Sequence, residues 1–381
     1  MKKIMFMMNS LYGGGAEKVL QTILKNINYN KYDVTLYSMH RENIDYDYYP
    51  AQVHYKVIFD VKCSNTKIGK ILYKFLSKVQ GKIFSCCPST LFYKLYIHEK
   101  YDVEIAFIEG ESTKIVSGSP NLKSKKIAWV HVDLESNPWT EFLYDGVEDE
   151  SKHYQKFDKI LCVSDVVRKT FSHKYGLDSS IVQTQYNPID REDIISKSTE
   201  ACDLPTKRRM RIISVGRLVE QKGYDRLLRA AKRLKNEKTE FDLYILGKGE
   251  MEEELQNYIH QNGLEENVFL LGFKNNPYPY MAQSDLMVCS SRAEGFSTVI
   301  SEGIALGLPI ISTDCAGIRE LFGDFECGVI TENTEDALFE ELYKVMKMPE
   351  NLKKYRAESY KRGKEFSLNT TMKQLEDFFD E

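Results

Sequence analysis

VCSSRAEGFSTVISEGIALGLPIISTDCAGIRE, Val288 to Glu320, decides the fold. An apolar run, Asp285 to Cys289, reads as a strand and turns through Arg292-Ala293-Glu294-Gly295 into a helix that begins near Ser297. A second apolar run, Leu308 to Thr313, follows at once. Strand, loop, helix and strand make one βαβ unit, and such units hold ligands at the carboxyl ends of their strands. Ser297 can cap the helix, whose free N–H groups and positive partial charge form a seat for phosphate. Glu294 lies in the loop before the helix and Glu302 about a turn inside it, so both carboxylates can border that seat. A carboxylate only accepts hydrogen bonds and can take two hydroxyl protons from a ribose diol or a sugar ring. Two acids beside an anion seat suit a sugar nucleotide better than a bare phosphate.

Glu294-Gly295-Phe296-Ser297-Thr298 followed by Glu302 resembles the E-x7-E signature of retaining GT-B glycosyltransferases, family 4 (bacterial glycosyl transferases group 1). The likeness runs on through Gly303–Ile310 and Thr313–Glu320. Gly216-Arg217-Leu218, with Lys222 and Gly223 beyond, resembles the family's G-R-L-x-x-x-K-G element after the strand Arg211–Val215. Arg offers a planar fork of donors and Lys a point charge, as binding a diphosphate requires. The resemblance implies an α/β protein of GT-B fold, two doubly wound Rossmann-like domains facing each other across a cleft. It implies a retaining transferase that moves a hexose or N-acetylhexosamine from a nucleotide sugar, UDP-linked by preference, to a glycan or lipid-linked acceptor. Arg217 and Lys222 would neutralise the leaving diphosphate, Glu294 hold the sugar hydroxyls and Glu302 the ribose. Gly216, Phe273, Gly295, Phe296, Ser297 and Thr298 would complete the donor site, with the turn Gly272-Phe273-Lys274 reading the base. The donor is a substrate, so no cofactor is expected.

Toward the N-terminus the signals thin out. Ile4–Met8 is a buried-type strand, and Gly13-Gly14-Gly15 lets the backbone approach a ligand before a helix starts at Ala16. The spacing is not G-x-G-x-x-G, and the second strand, Tyr32–Met39, ends without the ribose-binding acid of an NAD site. The resemblance places Gly14 and Gly15 against donor phosphates. Strands are expected at 102–108 and 127–132, the latter ending in His131, Val132 and Asp133, with Trp139 beyond. His131 matches the position where many family members carry a histidine touching the donor sugar. Asp133 and Trp139 are assigned to the acceptor side. Strands at 159–164 and 181–186 and a helix at 165–174 lead to Asn187-Pro188, which resembles the family's domain junction. Domains of 1–188 and 189–364 are expected, with a terminal helix of about 365–381 packing back on the first. Residues 191–207 are polar and unpatterned, which reads as a linker and exposed loop.

With 52 basic and 56 acidic residues the formal charge is −4, and nothing points to nucleic acid. The eight cysteines form no C-x-x-C pair, which reads as a reducing compartment. The opening apolar run stops at Asn9-Ser10, too short for a signal peptide, and no run approaches the roughly 20 residues of a membrane span, so the expectation is cytoplasmic. Asp45-Tyr46-Asp47 sits in a polar run and reads as a solvated loop, and no metal site is expected. Between Val61 and His98 there is no acid. Lys70, Lys74, Lys78 and Lys82 form a basic ridge beside an apolar stripe, which fits an anionic membrane surface at the inner face of the cell membrane or a domain helix showing lysines to water. Two rival functions share these features: a sugar-nucleotide epimerase of the same fold, and a non-catalytic sugar-nucleotide-binding subunit. Arg217, Lys222, Glu294 and Glu302 together speak for the transferase.

Overall fold

The computed structural model describes residues 1–11, 14–40, 49–60, 81, 84 and 87–381. The lysines 70, 74, 78 and 82 and the aspartates 45 and 47 lie outside the described residues. The chain divides into two compact units, Met1–Tyr186 with Thr370–Glu381, and Asn187–Asn369.

The first unit contains a parallel sheet of β1 (Lys2–Met8), β2 (Tyr32–His40), β3 (His54–Phe59), β4 (Val103–Ala106), β5 (Lys125–Val130), β6 (Lys159–Cys162) and β7 (Val182–Thr184). Among the described residues its order is β3-β2-β1-β4-β5-β6-β7. Ile4 to Met8 are fully buried, as expected of a strand covered by helices on both faces. The order reverses between β1 and β4, so the carboxyl ends of these two strands border the crevice where ligands of such sheets bind.

The second unit repeats the plan with β8 (Met210–Val215), β9 (Phe241–Leu246), β10 (Val268–Gly272), β11 (Leu286–Cys289), β12 (Ile310–Thr313) and β13 (Gly328–Thr331). Its order is β10-β9-β8-β11-β12-β13, all parallel, with the reversal between β8 and β11. The core beneath is built from Ile212, Leu227, Leu228, Phe241, Leu243, Val288, Ile311 and Leu338. Gly303, in the helix Thr298–Ala305, lies against β11 and β12: a Cβ there would stand 2.6 Å from the Met287 sulfur.

Two expectations need correction. Residues 191–207 are not all loop: Arg191–Ser198 is a helix whose cap, Asp190, accepts from the Asp193 N–H. Only Ile194 of this helix is buried, so it carries no apolar stripe to read. Ser297 occupies the N-cap position of Thr298–Ala305, but its side chain makes no capping bond. The C-terminal stretch is two helices, Asn351–Glu365 and Leu368–Asp380, parted at Phe366-Ser367. The second of these packs in the first unit, where Phe379 meets Phe6 and Tyr32 edge-on at 6.2 and 5.8 Å. Lys2 donates to the Phe379 carbonyl at 2.8 Å and pairs with Asp380 at 3.1 Å.

Candidate active site

At the β8/β11 reversal two loops are stitched together. The loop after β8 carries Gly216, Arg217 and Lys222, and the loop after β11 carries Ser291 to Ser297. Gly223 has φ +64°, and a Cβ on it would strike the Ser290 carbonyl at 2.1 Å, so only glycine lets the loops approach this closely. Hydrogen bonds span them: Arg292 N–H to the Gln221 carbonyl at 2.7 Å, Gln221 Nε2 to the Ala293 carbonyl at 2.9 Å, Ser290 Oγ to the Lys222 carbonyl at 2.9 Å, and Arg292 Nη1 to the Glu220 carbonyl at 2.7 Å. Beneath them the buried Arg226 guanidinium donates to the Ser290 and Ser291 carbonyls at 2.8 and 2.5 Å. Arg292 grips Asp225 with both nitrogens at 2.8 Å. Burial opposes the Asp225 charge, yet Arg292 and Arg229 hold its carboxyl well below the usual range.

This frame brings Lys222 and Glu294 together. Lys222 Nζ lies 2.7 Å from Glu294 Oε1, and the same oxygen accepts from Ser291 Oγ at 2.6 Å. Burial by itself lowers the Lys222 ammonium, and the Glu294 carboxylate more than reverses this, so its pKa is raised. Glu294 Oε2 has no hydrogen-bond partner among the described residues, so one arm of the carboxylate anchors the lysine while the other stays available to hydroxyls. Arg217 is exposed, and its guanidinium makes no hydrogen bond or ion pair with the described residues. Gly216 sits tightly: a Cβ on it would come 3.0 Å from the Tyr224 hydroxyl.

Glu302, one turn into the helix, is buried and accepts from the Tyr278 hydroxyl at 3.2 Å. Burial and then this carboxylate push the Tyr278 pKa upward. Gly295, Phe296, Ser297 and Thr298 lead into the helix N-terminus, Phe296 buried. Phe273 follows Gly272, whose φ is +69°, and is 56% exposed. Tyr278 and Ser291 were not legible as site residues, although Ser291 stands three places before Glu294.

In the first unit, Gly14 is the N-cap of the helix Gly15–Asn26, and a Cβ on it would meet the Glu17 carboxylate at 2.4 Å. His131 lies one residue past β5, its ring against Phe107 and stacked on Trp129. Its Nε2 is buried and has no hydrogen-bond partner among the described residues. Burial lowers its pKa to about 3, so the imidazole is neutral and offers one donor nitrogen and one acceptor nitrogen. Asp133 is not presented to a ligand through Oδ1, which accepts from Thr170 Oγ1 at 2.9 Å and the Glu135 N–H at 3.1 Å. The Trp139 indole N–H is also engaged, donating at 3.2 Å to the fully buried Glu109. Glu109 stands three residues past β4, and a polar side chain at the carboxyl end of a parallel strand is the signal that could have found it. Among the described residues no group of three or more His, Cys, Asp or Glu is placed to hold a metal ion.

A doubly wound Rossmann-like unit repeated twice is the plan of the GT-B glycosyltransferases. The family model "Glycosyl transferases group 1" matches residues 201–362. The chain is 32% identical over 372 residues, 96% of each protein, to the Campylobacter jejuni N-acetylgalactosamine-N,N'-diacetylbacillosaminyl-diphospho-undecaprenol 4-alpha-N-acetylgalactosaminyltransferase. It therefore belongs to the group 1 glycosyltransferases and is a glycosyltransferase. It is also 25% identical to the amylovoran biosynthesis glycosyltransferase AmsD of Erwinia amylovora, over 86% of this chain and 84% of that one. Among solved structures it is similar to Anabaena HepE in complex with UDP and glucose, with a TM-score of 0.75 at 17% identity and the whole of both chains covered.

Proposed function

We propose that the protein is a retaining glycosyltransferase that moves a hexose or N-acetylhexosamine from a UDP-sugar to a lipid-linked or glycan acceptor in cell-surface glycoconjugate synthesis. The observation that carries the reading is the part-buried Lys222–Glu294 pair, formed across 72 residues of sequence at the strand reversal of the second unit. A lysine held by one carboxylate oxygen keeps two N–H donors for a diphosphate. With Arg217 and the N–H groups from Gly295 to Thr298 it supplies fixed positive charge where the leaving group gains negative charge. Glu294 Oε2 takes sugar hydroxyls, Glu302 the ribose, and Phe273 the base. The family resemblance assigns the neutral His131 a sugar hydroxyl, and Gly14 and Gly15 the donor phosphates. The bond from the anomeric carbon to phosphate oxygen breaks as the acceptor oxygen bonds the same face. The acceptor proton passes to the departing diphosphate oxygen, so no protein nucleophile and no cofactor is required.

The lipid-linked acceptor is supported by the printed activity of the Campylobacter relative. Peripheral contact with an anionic membrane is supported by the acid-free stretch 61–98. In its described part, the helix Ser89–Tyr96 shows Leu91 (50%) and Leu95 (54%) to solvent beside Lys94. No helix among the described residues is long and apolar enough to cross a membrane. A thermal-shift panel of UDP-, GDP- and ADP-sugars, followed by transfer assays with NMR of the product anomer, tests the proposal. Stabilisation by UDP-sugars and a retained anomeric configuration are expected. An inverted product would remove the mechanism, and transfer from none of the donors would remove the function.

A further inference from the structure

We infer that Glu109 is a positioning residue for glycosyl transfer: its buried carboxyl group ties the His131 backbone to the Trp139 indole and so fixes the rim of the first sheet. The inference rests on the assignment of His131 to a sugar hydroxyl. Glu109 is fully buried just beyond β4. Its Oε2 accepts from the His131 N–H at 3.0 Å and its Oε1 from the Trp139 indole N–H at 3.2 Å. Its main-chain carbonyl accepts from Asn9 Nδ2 at 3.3 Å, and Asn9 Oδ1 accepts from the Ser112 N–H and hydroxyl at 2.9 and 2.6 Å. Asn9 directly follows β1, so a single residue links the carboxyl ends of β1, β4 and β5, at the reversal where a ligand is met.

The chemistry of the clamp calls for an acid. Two N–H donors converge on two oxygens of one group, and only a carboxylate accepts at both ends. Glutamine has the same shape but turns an NH2 toward one of the two donors, leaving a buried clash of hydrogens. Gly110 closes the arrangement: at φ +87° a Cβ would press on the Trp139 ring at 3.0 Å, and its carbonyl accepts from the Tyr144 hydroxyl at 3.0 Å.

The titratable groups around Glu109 are His131 at the end of β5, Glu150 and Tyr154 from the helix Val147–Tyr154, and Cys162 at the end of β6. Glu150 is itself engaged by the Thr140 and Tyr175 hydroxyls at 2.7 and 2.8 Å. Burial pushes the Glu109 carboxyl up to about 7, against the pull of its N–H donors. The ionised form accepts both bonds well, whereas protonation turns one oxygen into a hydroxyl that accepts poorly. Transfer therefore gains rate as pH rises through about 7, and the acid limb belongs to Glu109.

Two measurements on the full-length enzyme test this. Trp129 and Trp139 are the chain's two tryptophans, so intrinsic fluorescence reports the indole beside Glu109. A step near neutral pH is expected in the wild type and is absent in both Glu109→Gln and Trp139→Phe. In transfer assays Glu109→Gln should lower kcat about tenfold or more with KM for the donor little changed, and lose the acid limb. Trp139→Phe keeps the ring but loses the N–H, and should lower kcat in the same direction while circular dichroism shows the fold intact. An active wild type beside a Glu109→Gln variant with unchanged kcat and unchanged pH profile overturns this inference alone. A wild type that transfers from no nucleotide sugar overturns the glycosyl-transfer reading and this inference with it.

Discussion

Replacing Lys222 by methionine keeps the length of the side chain and removes its charge. At 2.7 Å the attraction between Lys222 and Glu294 is worth about 6 kcal/mol at an effective dielectric constant of ~20, most of which offsets the cost of drying both groups. Removing only the lysine leaves a buried carboxylate held by the Ser291 hydroxyl and a long contact from the Cys289 thiol at 4.0 Å, and such a broken pair costs about 3–5 kcal/mol. Glu294→Gln should cost less, about 2 kcal/mol, because the Lys222 side chain is 20% exposed and can turn toward water. In the double variant the stranded charge is gone, so its loss should fall short of the sum by about 2 kcal/mol. Amide hydrogen exchange in β8 and β11 is the assay of choice, because both tryptophans lie in the first unit and their fluorescence does not see the second. Losses that add to within about 0.5 kcal/mol would refute the coupling. Turnover in each single variant should fall more than about tenfold. Normal turnover in Lys222→Met with an intact fold would remove lysine from the diphosphate site.

Arg217→Ala separates catalysis from stability. Its exposed guanidinium has no partner among the described residues, so turnover should fall more than about tenfold with an unchanged melting temperature, and a normal kcat would remove it from the donor site. Activity should survive EDTA, since protein cations take the leaving group's charge; loss on chelation with recovery in Mg²⁺ or Mn²⁺ would overturn that. Binding to anionic vesicles should fall with salt and with glutamine at Lys70, Lys74, Lys78 and Lys82, each lysine near the surface contributing about 1 kcal/mol. Protein left in the supernatant at low salt would end the membrane proposal.

The second unit's fold and candidate site could be read closely from the chain because their parts are local. The strand expected at Arg211–Val215 is found at Met210–Val215, and Glu294 and Lys222 lie in short loops flanked by apolar runs. What escaped depends on distant partners or weak local signals. Glu109 gains its meaning from His131 and Trp139, 22 and 30 residues away, and Tyr278 from Glu302, 24 away. Arg226 looks like any cation on an amphipathic helix until its four partners at the strand ends are seen. The helix Arg191–Ser198 buries too little to show a period, though its Asp190 cap was there to be read. Ser297 has the right identity and position for a cap, yet its side chain makes no capping bond.

The path of the chain sets an order of assembly. Synthesis reaches Leu368 only after every residue of β8 to β13 has been made, so the second unit can close while the first still lacks its last helix. Until then Phe6 and Tyr32 wait without Phe379, a side chain whose burial contributes about 1.5–3 kcal/mol, and Lys2 waits without Asp380. The unit that begins first is completed last. A ribosome paused before residue 368 would therefore hold a finished second unit tethered to a protease-sensitive first one, and a peptide of residues 368–381 added in trans should restore its protection.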